Sequence, residues 1–362
     1  MGNDPTNQNP LVAWQIRSGI RHFGTKLFVI NANDIKLERK ATQFVKVEPE
    51  QEAAVLKWLA HEEGQFSPEL VEQLVQLKAG LEAIGNVAVV FGAEISGAAI
   101  ATLVAFGSKL PGKTRYMALG DYANSRGTAD MGVLPDRLPG YAYVGNPHAH
   151  ESFEKLWGCG PLPTKAGLTT PQMVEAAQAG KLNALYVVGA NPLAHFGTLD
   201  VGRGKLELLI VHEMFFTETA RVADIVFPAT SAYEKDGTVT NTSGEIQMLH
   251  KGAEEMGPRS DFDLLRILSH QMEKLGIGKA FHYKNPGAVF EEIRKAVSGY
   301  NVQPAGLLIG GAEPTHMEFA RNGHAPYDVP VGLIRPAKDN LFTSGTLGRF
   351  CKMMESLPEA KA

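Results

Sequence analysis

An internal near-repeat constrains this chain more than any other feature. Gly2-Asn3-Asp4-Pro5 and Gly189-Ala190-Asn191-Pro192 both follow the pattern G-x-[ND]-P, and the second comes directly after the apolar run ALYVV at 184–188. Downstream of each lies an apolar strand and then a polar segment: LFVINANDIKLERKATQFVKV from Leu27 stands beside LLIVHEMFFTETARVADIVFP from Leu208, aligned without a gap. Two α/β units on one plan, each opening with a glycine turn at the C-terminal end of a strand, suit a ligand with two nucleotide-like ends.

The remaining pattern agrees with that plan. Lys26 to Ile30, Val87 to Phe91, Ala184 to Val188 and Leu206 to Val211 are short apolar runs rich in β-branched residues, as expected of parallel strands covered on both faces. Ser67-Pro68 reads as an N-cap with proline at the first helical position, after which Leu70, Leu74, Leu77 and Leu81 recur on one face as far as Gly85. Thr170-Pro171 opens another helix, and the segment from Asp261 through Leu268 a third. Strands alternating with helices give an α/β class with two doubly wound parallel-sheet domains, at 1–120 and 121–300, and a short β extension at 301–362. Gly and Pro gather between Gly120 and Pro163 with little periodicity, so 121–165 is expected to be a long loop.

Composition excludes several function classes. The chain has 362 residues, 44% hydrophobic and 20% charged, with a formal net charge of −4, so it can bury a sizeable core and has no basic tract for nucleic acid. No apolar run approaches the ~20 residues of a membrane helix, so no membrane insertion is expected, and the location is read as cytoplasmic. Cys159 and Cys351 are the only cysteines, too few for an iron–sulfur cluster in this chain.

A G-x-N-P turn leaves backbone N–H groups near a helix N-terminus, where a phosphate is favoured. The same turn also serves any α/β crossover that binds nothing. The hydroxyls and acid of Thr217 to Asp224 fit either a purine or ribose edge or ordinary capping. Glu234 to Glu245, with its Asp-Gly and Ser-Gly steps, reads as a hairpin. His148, His150 and Glu151 lie in a loop pattern that is commonly solvent-facing and lacks a third histidine, so no metal site is assigned.

These same residues resemble the molybdopterin oxidoreductase family over nearly the whole chain. GNDPTNQNP and VVGANP resemble its two half-site motifs, ANSRGTADMGVLPDRLPGY (Ala123 to Tyr141) its central loop, and ETARVADIVFPATSAYEKDGTVTNTSGEIQ (Glu218 to Gln247) its most specific stretch. The resemblance implies two related α/β domains, each holding one half of a molybdenum bis(molybdopterin guanine dinucleotide). If a pterin dinucleotide binds, Gly2, Asn3, Asp4 and Asn31 line one half-site and Gly189, Asn191, His212 and Thr219 the other.

Within the family, NDPTNQNPLVAWQIR, NTSGEIQ and LFTSGTLGRF look more like the molybdopterin-oxidoreductase-type subunit of NADH-quinone oxidoreductase than like formate dehydrogenase, the alternative. That choice implies no retained cofactor and no catalytic residue in this chain. It further implies association with other peripheral-arm subunits of respiratory complex I, including an iron–sulfur-bearing chain, at the inner membrane. The family's cluster segments, the portion supplying the molybdenum ligand and the strand expected before Gly2 are absent from this sequence. It is therefore read as N-terminally truncated, with a sheet edge or apolar face left exposed.

Overall fold

The computed structural model describes residues 1–302 apart from 121, 196–204, 256 and 258. The expected β extension at 301–362 and Cys351 therefore lie outside the described residues, save for 301 and 302. The chain divides into two compact units, the first spanning Met1–Tyr122 and the second beginning at Ala123.

The first unit runs α1 (Pro5–Gln8), α2 (Pro10–Phe23), β1 (Phe28–Asn31), β2 (Gln43–Lys46), α3 (Glu52–His61), α4 (Pro68–Glu82), β3 (Asn86–Phe91), α5 (Ala98–Lys109) and β4 (Lys113–Ala118). β1 pairs with β2, and β3 with β4, both parallel. Helix α4 begins as its sequence predicts, with the Ser67 hydroxyl accepting from the Leu70 N–H. Its Leu74 and Leu77 are buried with Val55 and Leu59 of α3, Phe106 of α5 and Ile30 and Val45 of the sheet. Part of the apolar surface of α3, α4 and α5 is thereby buried against the strands, whereas Leu11, Trp14 and Phe23 of α2 are exposed.

The second unit runs α6 (Ser125–Asp130), β5 (Arg137–Leu138), β6 (Ala142–Tyr143), α7 (Pro147–Trp157), α8 (Thr170–Ala179), β7 (Ala184–Val188), α9 (Pro192–His195), β8 (Leu208–Glu213), α10 (Glu218–Arg221), β9 (Ile225–Pro228), β10 (Gly237–Thr240), β11 (Ile246–Leu249), α11 (Asp261–Lys274) and α12 (Pro286–Ala296). β7, β8 and β9 form a parallel sheet in that order. Val187, Leu209 and Val211 of the sheet are buried with Ala177 of α8 and Ala220 of α10. β10 and β11 form the expected antiparallel hairpin, whose Ile246 is buried with Phe290, Val297 and Tyr300.

The near-repeat is a repeat of structure. In β1–β2 and in β8–β9 each residue pairs with one 15 positions further on, Phe28 with Gln43 and Ile210 with Ile225. Both glycine turns take a left-handed backbone, φ 74° at Gly2 and 59° at Gly189, and both lead into a four-residue helix with proline near its start.

Three expectations need correction. The 121–165 stretch is not one loop: it holds α6, the β5–β6 pair and α7, because Asn146 caps α7 through the N–H groups of His148 and Ala149. His148, His150 and Glu151 accordingly sit on a helix, and His150 is buried with its ring nitrogen against the Val144 carbonyl. β3 and β7 are not covered on both faces: Asn86 and Ala88 of β3 and Ala184 and Val188 of β7 are exposed, since among the described residues each sheet has only two or three strands.

Candidate functional site

The first glycine turn is tied together by Asn31. Its amide nitrogen donates to the Gly2 carbonyl at 2.9 Å and the Asn3 carbonyl at 3.1 Å, and its oxygen accepts the Asn33 N–H at 2.9 Å. The Gly2 N–H donates to the Ile30 carbonyl at 3.0 Å. Asp4 does not face outward for a ligand. Its carboxylate accepts from the Thr6 N–H at 3.1 Å and the Asn7 amide at 2.7 Å, while its own N–H donates to the Gln8 side chain at 2.9 Å. The donors at the start of α1 are thus used internally.

Glu94 lies over this turn, and nothing in the sequence patterning marked it. A Cβ built on Gly2 would stand 2.7 Å from Glu94 Cβ and 3.1 Å from its Oε2; one on Gly92 would stand 2.6 Å from that oxygen. The available signal was Gly92, a second glycine at a strand's C-terminal end, in VAVVFGAE. Buried Glu52 is held above the usual carboxylate range, chiefly by burial, with Glu94 adding to the shift. The first turn is therefore both filled and acidic.

The second turn is tied by Asn191. Its oxygen accepts from the Thr219 N–H at 3.2 Å and the Thr219 hydroxyl at 2.7 Å, and its nitrogen donates to Glu218 Oε2 at 2.6 Å. The Thr219 hydroxyl oxygen accepts the Leu193 N–H at 3.2 Å. Thr217 caps α10 through the Ala220 N–H, and Asp224 accepts from the Leu209 N–H at 2.8 Å, so both residues of this ambiguous segment serve the backbone. Gly189 differs from Gly2: no described residue lies within 4 Å of a Cβ built there.

His212 joins the second turn through its backbone, whose carbonyl accepts the Gly189 N–H at 2.9 Å. Its fully buried imidazole lies 3.4 Å from Asp261, and among the described residues neither ring nitrogen has a hydrogen-bond partner. Asp261 is in turn hydrogen-bonded to Lys235. Burial lowers the His212 pKa below its ordinary 6.5, opposed by Asp261 and reinforced by Lys235. A histidine kept neutral in the fold binds fewer protons there than in the unfolded chain, so stability declines as pH falls through 6.5. We expect unfolding free energy between pH 7.5 and 5.5 to fall by up to about 1.4 kcal/mol per pH unit at the lower end. His212→Gln should remove that slope in denaturant titrations; an unchanged slope would place its origin elsewhere.

A second buried network joins α6 to the β10–β11 hairpin. The Tyr300 hydroxyl donates to Asp130 at 2.7 Å and lies 2.8 Å from the Thr240 hydroxyl, while the Thr240 N–H donates to Asn124 at 2.8 Å. Burial is the main cause raising Tyr300 and Tyr141, with Asp130 contributing to both, which keeps these phenols neutral. Among the described residues no cluster of three or more His, Cys, Asp or Glu could hold a metal ion, and no helix is long and apolar enough to cross a membrane.

Two parallel α/β units, with a glycine turn following β7 at Gly189 and another at Gly2 hydrogen-bonded to the end of β1, resemble the dinucleotide-binding class of fold. The profile of the molybdopterin oxidoreductase family matches residues 69–271, and the chain belongs to that family. It is 34% identical over 189 residues to a probable oxidoreductase, YjgC, of Bacillus subtilis, covering 51% of this chain and 18% of that protein. It is 37% identical over 182 residues to the alpha subunit of F420-dependent formate dehydrogenase 1 of Methanococcus maripaludis, covering 49% and 26%. With the NADPH-Fe(3+) oxidoreductase alpha subunit of Geobacter sulfurreducens the identity is 31% over 320 residues, covering 76% and 37%. The chain thus spans 18–37% of the length of these curated relatives.

The family implies a pterin dinucleotide, and its pyrophosphate is the group to test against the two turns. At the first turn it would meet the Glu94 carboxylate; at the second, no described residue stands within 4 Å of a Cβ built on Gly189. Like charges about 4 Å apart in a partly buried site repel by about 4 kcal/mol. The filled and acidic first turn does not fit an anionic pyrophosphate, whereas the second leaves open space at Gly189.

Proposed function

We propose that this chain is part of the molybdopterin-oxidoreductase-type subunit of an NADH-quinone oxidoreductase. In this reading it is a structural part of the peripheral arm, lies on the cytoplasmic side of the inner membrane, and supports electron transfer through neighbouring chains that carry the clusters. The observation carrying the proposal is the Glu94 carboxylate over the Gly2 turn, where one of a dinucleotide's phosphates would sit. In this reading the family fold is kept while the first turn no longer favours an anion. NDPTNQNPLVAWQIR, NTSGEIQ and LFTSGTLGRF support the same choice.

A second reading is favoured by the formate dehydrogenase alpha subunits among the relatives. Under it the chain would be part of a molybdenum enzyme, with half-sites lined by Gly2, Asn3, Asp4 and Asn31, and by Gly189, Asn191, His212 and Thr219. The Glu94 carboxylate would then have to swing away from the first turn on loading. The deciding experiment purifies the protein from its native host under mild conditions, measures molybdenum and pterin, and identifies co-purifying chains. The proposal expects neither molybdenum nor pterin, with complex I peripheral subunits in the eluate. Stoichiometric molybdenum with formate oxidation would overturn it.

A further inference from the structure

The outer edge of β4 is open. Among the described residues this strand pairs only with β3. Parallel pairing uses the N–H and carbonyl of alternate residues, and the Leu119 N–H donates to the Phe91 carbonyl at 2.8 Å. Counting back from Leu119, Met117 and Arg115 aim their backbone groups at β3. Thr114, Tyr116 and Ala118 therefore turn theirs outward, and none of these N–H or carbonyl groups has a partner among the described residues.

The surface beside this edge is apolar. The Thr114 and Tyr116 hydroxyls donate to the Gly107 and Val104 carbonyls at 2.8 and 3.3 Å, which lays both side chains against α5. Gly107 makes room for them, since a Cβ there would collide with the Tyr116 hydroxyl. Ile100 and Val104 recur on the same stripe of α5 as Gly107 and are 41% and 46% exposed, while Tyr116 and Met117 are 38% and 37% exposed. An unpaired edge beside exposed apolar side chains is a template for strand addition.

We propose that this face docks a second copy of the chain, β4 against β4 in antiparallel pairing about a two-fold axis at Tyr116. The edge is self-complementary in that register alone. Residues opposite one another in an antiparallel pair share a face, so the axis passes through a residue and not between two. At Tyr116 it sets Tyr116 opposite its mate and Thr114 opposite Ala118 on either side, so every outward donor meets an outward acceptor. At Arg115 or Met117 it would set Ala118 or Thr114 opposite a residue outside the strand, and at Arg115 it would also oppose two guanidinium groups. About Tyr116, Arg115 instead faces Met117. The strand order becomes β3-β4-β4-β3, with Ile100 and Val104 of both copies on one side of that sheet. Lys113–Ala118 contains no acid, so each copy brings Lys113 and Arg115 towards the same two cations of the other, and salt that screens them should tighten the pair. Three outward residues and one helix stripe per copy form a small interface, so the dimer should be reversible. This inference does not depend on which oxidoreductase the chain serves.

The test is light scattering and amide hydrogen exchange on the full chain over about a hundred-fold range of concentration, at low and high salt. A monomer–dimer equilibrium should appear, several-fold tighter at high salt. As the dimer fills, the Thr114, Tyr116 and Ala118 amides should slow by about ten-fold, while those of Arg115 and Met117 stay slow throughout. Ala118→Pro removes only an outward N–H, and Val104→Lys changes an exposed side chain; each should raise the dissociation constant by about ten-fold or more and leave the fold intact. Val104→Lys decides the matter if Ala118→Pro fails to fold. A chain that stays monomeric over the whole range, a dimer indifferent to both variants, or outward amides already slow in the monomer would each overturn the proposal. So would a dimer that loosens with salt. Outward amides slowed only by an added acidic extended peptide would likewise overturn it and make the occupant a strand of another protein.

Discussion

Asn191→Asp should destabilise the second unit by about 3 kcal/mol at pH 7.5, and most of that cost should vanish below pH 4.5. The amide nitrogen of Asn191 donates to Glu218 at 2.6 Å, and an aspartate there places two carboxylates within hydrogen-bond distance. Two such groups cannot both ionise cheaply, so the pair holds a proton in the fold to a higher pH than in the unfolded chain. A folded state that binds the extra proton loses stability as pH rises through the unfolded carboxyl range. At acid pH the shared proton restores the missing donor, while the oxygen facing Thr219 still accepts from its N–H and hydroxyl. Asn191→Ala offers the contrast: it strands the buried Thr219 N–H at every pH, so its cost of about 2–3 kcal/mol should not vary with pH. Urea titrations of the three proteins at pH 7.5 and 4.5 measure both. Equal losses for Asn191→Asp at the two pH values would mean that Glu218 does not face this position in solution.

The repeat was the most legible part of the fold, because it is carried by backbone constraints that particular residue types satisfy. The glycines of G-x-[ND]-P are needed at positive φ, the prolines at the start of short helices, and the ungapped alignment of the segments from Leu27 and Leu208 gives the same strand register twice. Ser67 and the Leu70 periodicity announced α4 for a similar reason, since capping and amphipathic burial are local.

What the sequence left hidden is tertiary. Glu94 lies far from Gly2 along the chain and meets it only because β3 ends beside the Gly2 turn. The imidazole of His212 was aligned with a ligand edge by its position at the end of β8, yet it lies beside Asp261 at the start of α11. Helix α7 was concealed in a Gly- and Pro-rich stretch because its cap, Asn146 followed by Pro147, is spelt with loop-forming residues.

Gly2→Ala and Gly189→Ala, the same change at equivalent turns, should differ in cost by about 2 kcal/mol, because one turn is filled and the other open. Each glycine has φ in the left-handed region, 74° and 59°, where an alanine costs about 1 kcal/mol. At Gly189 that should be nearly the whole effect, since a methyl there meets no described residue within 4 Å. At Gly2 the methyl would also stand 2.7 Å from Glu94 Cβ, an atom fixed to the backbone that cannot swing aside as a carboxylate can. The total at Gly2 should therefore reach about 3 kcal/mol. Glu94→Ala should not rescue Gly2→Ala, because it keeps the offending Cβ, whereas Glu94→Gly should recover about half of the loss. Denaturant titrations of the single and double variants separate these outcomes. Equal costs at Gly2 and Gly189, or rescue by Glu94→Ala, would mean that the Glu94 backbone stands off from the first turn. The room for a phosphate would then be the same in both half-sites, and the steric part of the case against a dinucleotide there would fail.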